Sequence, residues 1–160
     1  MELNKIYCGE AFEVLKTFES ESIDCVVTSP PYWGLRDYNV DKQLGLEETF
    51  TEYIDKLCNI FDEVKRVLKK TGTCFVNLGD TYSGGDGSNR NGINSNTMRQ
   101  KVRVNNINKI KFNHLISSKS LCQIPSRFAI EMTNRGWILR NELIWWKPSC
   151  MPSSAKDRFT

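Results

Sequence analysis

The 160-residue sequence predicts an α/β layer fold. Two observations carry that expectation: strand-like and helix-like stretches alternate through the first half, and the length suits one domain with a single core. Lys5 to Cys8 is a short apolar stretch that reads as a strand ending at Gly9. Ala11 to Phe18 places Phe12, Leu15 and Phe18 at helical spacing. Ile23 to Thr28 is a β-branched run halted by Ser29-Pro30-Pro31, and so a second strand. Thr51 to Leu68 is the clearest helix: Tyr53, Ile54, Leu57, Ile60, Phe61, Val64 and Leu68 recur at three and four, and Lys69-Lys70-Thr71-Gly72 reads as its stop. Thr73 to Leu78 is a third strand, closing on Gly79-Asp80. Pro125 to Asn134 reads as a helix with a glycine stop at Gly136, and Trp137 to Trp146 as a long fourth strand broken at Lys147-Pro148.

Composition narrows the class. Hydrophobic residues make up 39%, charged residues 26% and aromatics 11%, which excludes wholesale disorder. No run of about 18 apolar residues occurs, so no membrane span is expected. Met1-Glu2-Leu3-Asn4-Lys5 lacks the basic-then-apolar layout of a signal peptide, and a cytoplasmic protein is the expectation. The six cysteines form no C-x-x-C pair and only His114 could join them, so they are expected to pack as small hydrophobes with no metal site.

The net charge of +3 is unevenly spread. Between Gly87 and Ile130 lie eight basic residues (Arg90, Arg99, Lys101, Arg103, Lys109, Lys111, Lys119, Arg127) and no acidic ones, which leaves 14 basic against 19 acidic residues elsewhere. Eight asparagines between Asn89 and Asn113 mark the same region, about 82–118, as a long mobile loop. A basic segment on an acidic body is an electrostatic footprint for phosphate, with Arg99, Lys101 and Arg103 as the candidate DNA contacts; a solvated linker is the alternative.

The most informative residues are Thr28-Ser29-Pro30-Pro31-Tyr32-Trp33-Gly34, at the carboxyl end of a predicted strand, where open α/β sheets place their ligands. Two consecutive prolines remove two backbone donors and fix two φ angles. The turn is therefore stiff and rich in free acceptors, and a serine and two aromatics stand beside it. That combination suits a planar ring bearing an amino group.

Ser29-Pro30-Pro31-Tyr32 resembles the catalytic motif of DNA amino-methyltransferases, which methylate the exocyclic nitrogen of cytosine or adenine with S-adenosylmethionine. The resemblance begins at Ile6-Tyr7-Cys8-Gly9-Glu10 and runs through Ile23 to Tyr32 and Gly72 to Tyr82. It resumes at Lys119 to Pro125 and Gly136 to Asn141, and ends at Ile144-Trp145-Trp146-Lys147-Pro148, Met151-Pro152 and Asp157-Arg158. It implies double-stranded DNA as partner, a target base flipped out of the helix, and a restriction-modification or phage setting. It further implies amino-group acceptors at the Ser29 side chain and the Pro30 carbonyl, a turn held by Pro31, and stacking by Tyr32. Ser-Pro-Pro-Tyr points to cytosine-N4, with adenine-N6 open. Glu10 stands where the family's adenosyl-binding acid, usually Asp, is found. Asp80 reads equally as a loop cap and a site residue.

The block order resembles the permuted branch of the family, in which a Phe-x-Gly-x-Gly cofactor loop follows near the C-terminus. This sequence contains no such loop. Of the family's sheet order 3-2-1-4-5-7-6 it offers counterparts of strands 3, 4, 5 and 6, so an incomplete Rossmann-like sheet is expected, belonging to the N-terminal portion of an enzyme. Two classes stay open here: the catalytic portion of a methyltransferase that works with a complementing C-terminal piece, and an inactive truncated fragment that binds nucleic acid through its basic loop.

Overall fold

The computed structural model describes residues 2–83 and 116–149. Its elements are α1 (Ala11–Lys16), β1 (Ile23–Thr28), α2 (Phe50–Val67), β2 (Leu68–Val76) and α3 (Ile124–Asn134). The α/β class holds, with β1 and β2 paired in parallel from Cys25↔Thr73 to Thr28↔Val76. Parallel strands need a crossover between them, and α2 supplies it.

The helix α2 forms for reasons visible in its sequence. The Thr49 hydroxyl caps its start by accepting from the Glu52 N–H at 3.2 Å. Glu52 in the first turn and Lys65 and Arg66 in the last complement the helix dipole. Its apolar stripe (Phe50, Tyr53, Ile54, Leu57, Cys58, Phe61, Val64, Val67) is buried. The helix α3 packs on it, with the Phe61 and Phe128 rings edge to face at 5.1 Å. Arg135, at the end of α3, reaches back to Asp55 and Asp62 of α2, each at 2.7 Å. Gly136, at φ +79°, turns the chain out of α3.

Of the four predicted strands, two form among the described residues. Residues 5–8 and 137–146 adopt no strand, and the Lys69-Lys70-Thr71-Gly72 stretch read as a helix stop lies inside β2, which starts five residues before Thr73. The physical reason is the same at both ends: an extended apolar segment becomes a strand only when another strand satisfies its backbone, and among the described residues β1 and β2 pair only with each other. Ile6 is 95% exposed and Ile144 90% exposed.

Most of the 82–118 loop lies outside the described residues, as do Arg99, Lys101 and Arg103. The base of that segment is described. Tyr82 and Leu121 form an antiparallel bridge, and the Ser83 N–H and carbonyl bond the Ser120 carbonyl and Lys119 N–H, both at 2.8 Å. The two ends of the basic segment are thus joined directly beyond β2.

Candidate active site

The strand β1 delivers the turn. Beyond the ladder the Thr28 carbonyl accepts from the Asn77 N–H at 2.9 Å, which keeps the two strands together up to the point where Ser29-Pro30-Pro31-Tyr32 leaves the sheet. From here the turn is held on three sides. The Tyr53 hydroxyl, from the first turns of α2, donates to the Pro31 carbonyl at 2.9 Å. Gly45, at φ +96°, lies beneath the Tyr32 carbonyl so closely that a Cβ there would stand 2.9 Å from that oxygen. The Tyr32 ring itself rests on the backbone of Gly79.

Behind the turn the chain makes a closed excursion over residues 33–47. Trp33 is buried, its indole N–H donating to the Glu47 carbonyl at 3.0 Å and its ring set edge to face on Phe50. The Gly34 N–H reaches the Gly45 carbonyl at 2.8 Å. The buried Glu47 carboxylate accepts from the Gly45 N–H at 2.8 Å and from Lys56 at 3.3 Å. The rigidity inferred from the two prolines is therefore reinforced by a buried base.

The polar groups left at the turn, two hydroxyls and a carbonyl, can all accept. Ser29 is exposed, and among the described residues its hydroxyl makes only a long 3.4 Å contact to that of Tyr32. No group among the described residues donates to the Pro30 carbonyl, whereas the neighbouring Pro31 carbonyl is taken by Tyr53. Burial pushes the Tyr53 phenol well above its ordinary range, with Glu47 and then Tyr32 adding to the shift, so it stays a proton donor. An open hollow of ≈ 570 Å³ lies elsewhere, between Asp37, Asp41, Gln43, Glu47 and Lys56, and takes in none of the four turn residues.

Other residues singled out from the sequence have local partners. The Glu10 carboxylate caps α1, accepting from the Glu13 N–H at 3.0 Å, and no hydrogen bond or ion pair ties it to the turn. Asp80 is a cap as well: one carboxylate oxygen accepts from the Thr81 N–H at 2.8 Å and the Ile124 N–H at 3.1 Å, closing the start of α3. Cys58 and Cys122 are buried and Cys74 partly so, whereas Cys8 and Cys25 are exposed. Among the described residues no three metal-ligating side chains cluster, and no helix is long and apolar enough to cross a membrane.

Sequence reasoning missed Tyr53, Gly45 and Gly79. Tyr53 sits in the apolar stripe of α2, so its spacing gives no hint of its hydroxyl. Gly79 reads as a strand terminator, and nothing local marks the ring that lies on it.

Comparison with known proteins places these residues in context. The profile of a DNA methylase family matches residues 23–160, from the first residue of β1 onward. The Type II methyltransferase M.Cfr9I of Citrobacter freundii is 43% identical over 163 residues, covering 100% of this chain and 52% of that protein. The Type II methyltransferase M.XycI of Xanthomonas campestris pv. cyanopsidis is 43% identical over 154 residues, covering 96% of this chain and 49% of that protein. The Type II methyltransferase M.SmaI of Serratia marcescens is 41% identical over 160 residues, covering 98% and 52% respectively. The chain spans about half the length of these curated relatives. No solved structure matches it significantly.

Proposed function

The chain belongs to the DNA methylase family, and on that premise we propose that it is the base-orienting portion of a site-specific DNA methyltransferase of a restriction-modification system. The single observation that carries this reading is the pair of carbonyls at the turn: Pro31 is occupied by Tyr53 while Pro30, beside the exposed Ser29 hydroxyl, is left to accept. An exocyclic amino group has two N–H donors. Ser29 and the Pro30 carbonyl would take one each, drawing the nitrogen out of conjugation with its ring and aiming its lone pair away from the turn. Tyr32 would hold the flipped base by stacking. The favoured target is cytosine-N4, with adenine-N6 the alternative.

The methyl group in this reaction comes from S-adenosylmethionine. The donor set described here fits the base better than that cofactor. Glu10 keeps one carboxylate oxygen unengaged by its cap and would accept from a ribose hydroxyl. The remaining contacts would come from a polypeptide equivalent to the unmatched half of the relatives. DNA would be met by Arg99, Lys101 and Arg103. The joined base of their segment begins at Tyr82, three residues beyond the Gly79 backbone that supports Tyr32.

The test is transfer of tritiated methyl groups to duplex DNA by the chain together with that remaining half, followed by digestion of the product. Ser29→Ala should lower kcat about 30- to 1000-fold, the range for one lost transition-state hydrogen bond of about 2–4 kcal/mol. Wild-type kcat in Ser29→Ala would sink the assignment of the turn, whereas methyladenine in the digest would change only the base. Charge reversal at Arg99, Lys101 and Arg103 should weaken DNA binding and flatten its dependence on salt, by about 0.9 in the log–log slope for each lost phosphate contact.

A further inference from the structure

We infer that Gly79 is the positioning residue for the Tyr32 ring, fixing where its stacking face is presented. A Cβ built on Gly79 would stand 2.6 Å from Tyr32 Cδ2, 2.6 Å from Cε2 and 3.4 Å from Cγ, and the three nearest atoms it meets all belong to that one ring. Carbon atoms in contact rest at about 3.5–4.0 Å, so an alanine at 79 requires a displacement on the order of 1 Å. Its backbone is not left-handed, so alanine brings no conformational strain of its own. Among the described residues the ring is the one obstacle.

Neither backbone is placed to yield. On one side, Leu78 packs against the core and the Asp80 carboxylate is tied to the start of α3 through the Ile124 N–H. On the other, the carbonyl preceding Tyr32 is held by Tyr53, and its own carbonyl is pressed against Gly45. Displacement therefore falls on the Tyr32 side-chain torsions, and the ring turns out of the plane it now occupies.

The consequence for DNA rests on the reading of Tyr32 as the stacking face, and the experiment separates the two ideas. The enzyme, with its remaining half, is prepared with fluorotyrosine, and the Tyr32 ring is followed by fluorine NMR in wild type and Gly79→Ala. Activity is measured in a double-mutant cycle with Tyr32→Ala. We expect the Tyr32 resonance to shift or split in Gly79→Ala while the Tyr53 resonance stays in place. Losing the stack in Tyr32→Ala should lower kcat/KM about 5- to 150-fold, corresponding to about 1–3 kcal/mol. Gly79→Ala should lower it by a smaller factor, mainly through KM for DNA. Adding Gly79→Ala to Tyr32→Ala should then change little, within about twofold, because the group it displaces is gone. Equal losses from Gly79→Ala in both backgrounds, or an unmoved Tyr32 resonance, would overturn the inference. A shifted resonance with unchanged kcat/KM in both single variants would instead overturn the stacking role and leave Gly79 as the determinant of ring position. Should Gly79→Ala not fold, folding restored in the double variant supports the contact, and failure of both variants to fold refutes it.

Discussion

The two faces of the β1–β2 sheet are built from the same kind of residue and end in opposite states. On one face Ile23, Val26, Cys74 and Val76 pack into the core under α2 and α3. On the other, Val27 is 77% exposed and Phe75 53% exposed, although they are register partners in the same ladder. The segment after α3 shares the second condition, with Leu143, Ile144, Trp145 and Trp146 all exposed. A helix closes its own hydrogen bonds and needs one apolar neighbour, whereas a strand depends on other segments for both its backbone bonds and the cover on its faces. The covered face has its neighbour within the described residues. The bare face carries the residue types of a covered one, and the chain spans about half the length of the relatives it matches.

The largest effect that would separate the two faces is in the core. Leu57 is 1% exposed between α2 and its neighbours, so Leu57→Ala should cost about 2–5 kcal/mol, the loss of burial plus a cavity. Stabilities of whole domains are only about 5–15 kcal/mol, so this is a large share. Denaturant titration followed by circular dichroism measures it, and a cost under about 1 kcal/mol would mean the helical face is loosely packed.

The same contrast accounts for what the sequence made legible. All three helices stand within a few residues of their predicted bounds, because apolar spacing and the Gly136 stop are local signals. Ile23–Thr28 is legible as a strand, since a β-branched run ending in two prolines has few other conformations. Lys5–Cys8 and Trp137–Trp146 carry equally good strand composition, but composition cannot supply a partner. At the site, the Ser-Pro-Pro-Tyr turn is legible because its chemistry lies in consecutive residues. Its supports are not: Tyr53 reaches Pro31 across 22 positions, and Gly79 lies against Tyr32 from the far end of the other strand. Glu10 and Asp80 teach the reverse lesson, since a carboxylate beyond an extended stretch also suits the start of a helix, and both cap one.

A middle-sized effect tests whether the turn belongs to the packed region. Tyr53→Phe keeps the buried ring and removes the bond to the Pro31 carbonyl, which should cost about 1 kcal/mol at neutral pH. It should also change the alkaline response. Burial raises the Tyr53 phenol above its ordinary 10.0, the Cys58 thiol from 9.0 to about 12 and the Cys74 thiol from 9.0 to about 11. Each of these groups holds its proton more tightly folded than unfolded. Their contribution is therefore intact below about pH 9 and is lost as pH climbs through 9 to 12. Stability plotted against pH should fall from about 9 upward, and Tyr53→Phe should make the fall above pH 10 shallower. An unchanged slope would mean that the phenol ionises as readily in the folded protein as in the unfolded one.

The smallest effect is expected where the sequence is most hydrophobic. Trp145 is 74% exposed and Ile144 90% exposed, and among the described residues the backbone bond in their stretch, Trp146 N–H to the Ile144 carbonyl, is local. In the 160-residue chain by itself, Trp145→Ala and Ile144→Ser should each move stability by no more than about 0.5 kcal/mol, the usual range for surface positions, despite removing large apolar groups. They should also lower the chain's tendency to associate, because contiguous exposed apolar surface favours self-contact. The same substitutions made in the presence of the relatives' second half sharpen the comparison. If that half covers the bare face, their cost should rise toward the 2–5 kcal/mol of a core truncation, and amide exchange along 138–146 should slow. A cost above about 1 kcal/mol in the short chain would show the segment already packed and would remove the distinction between the two faces.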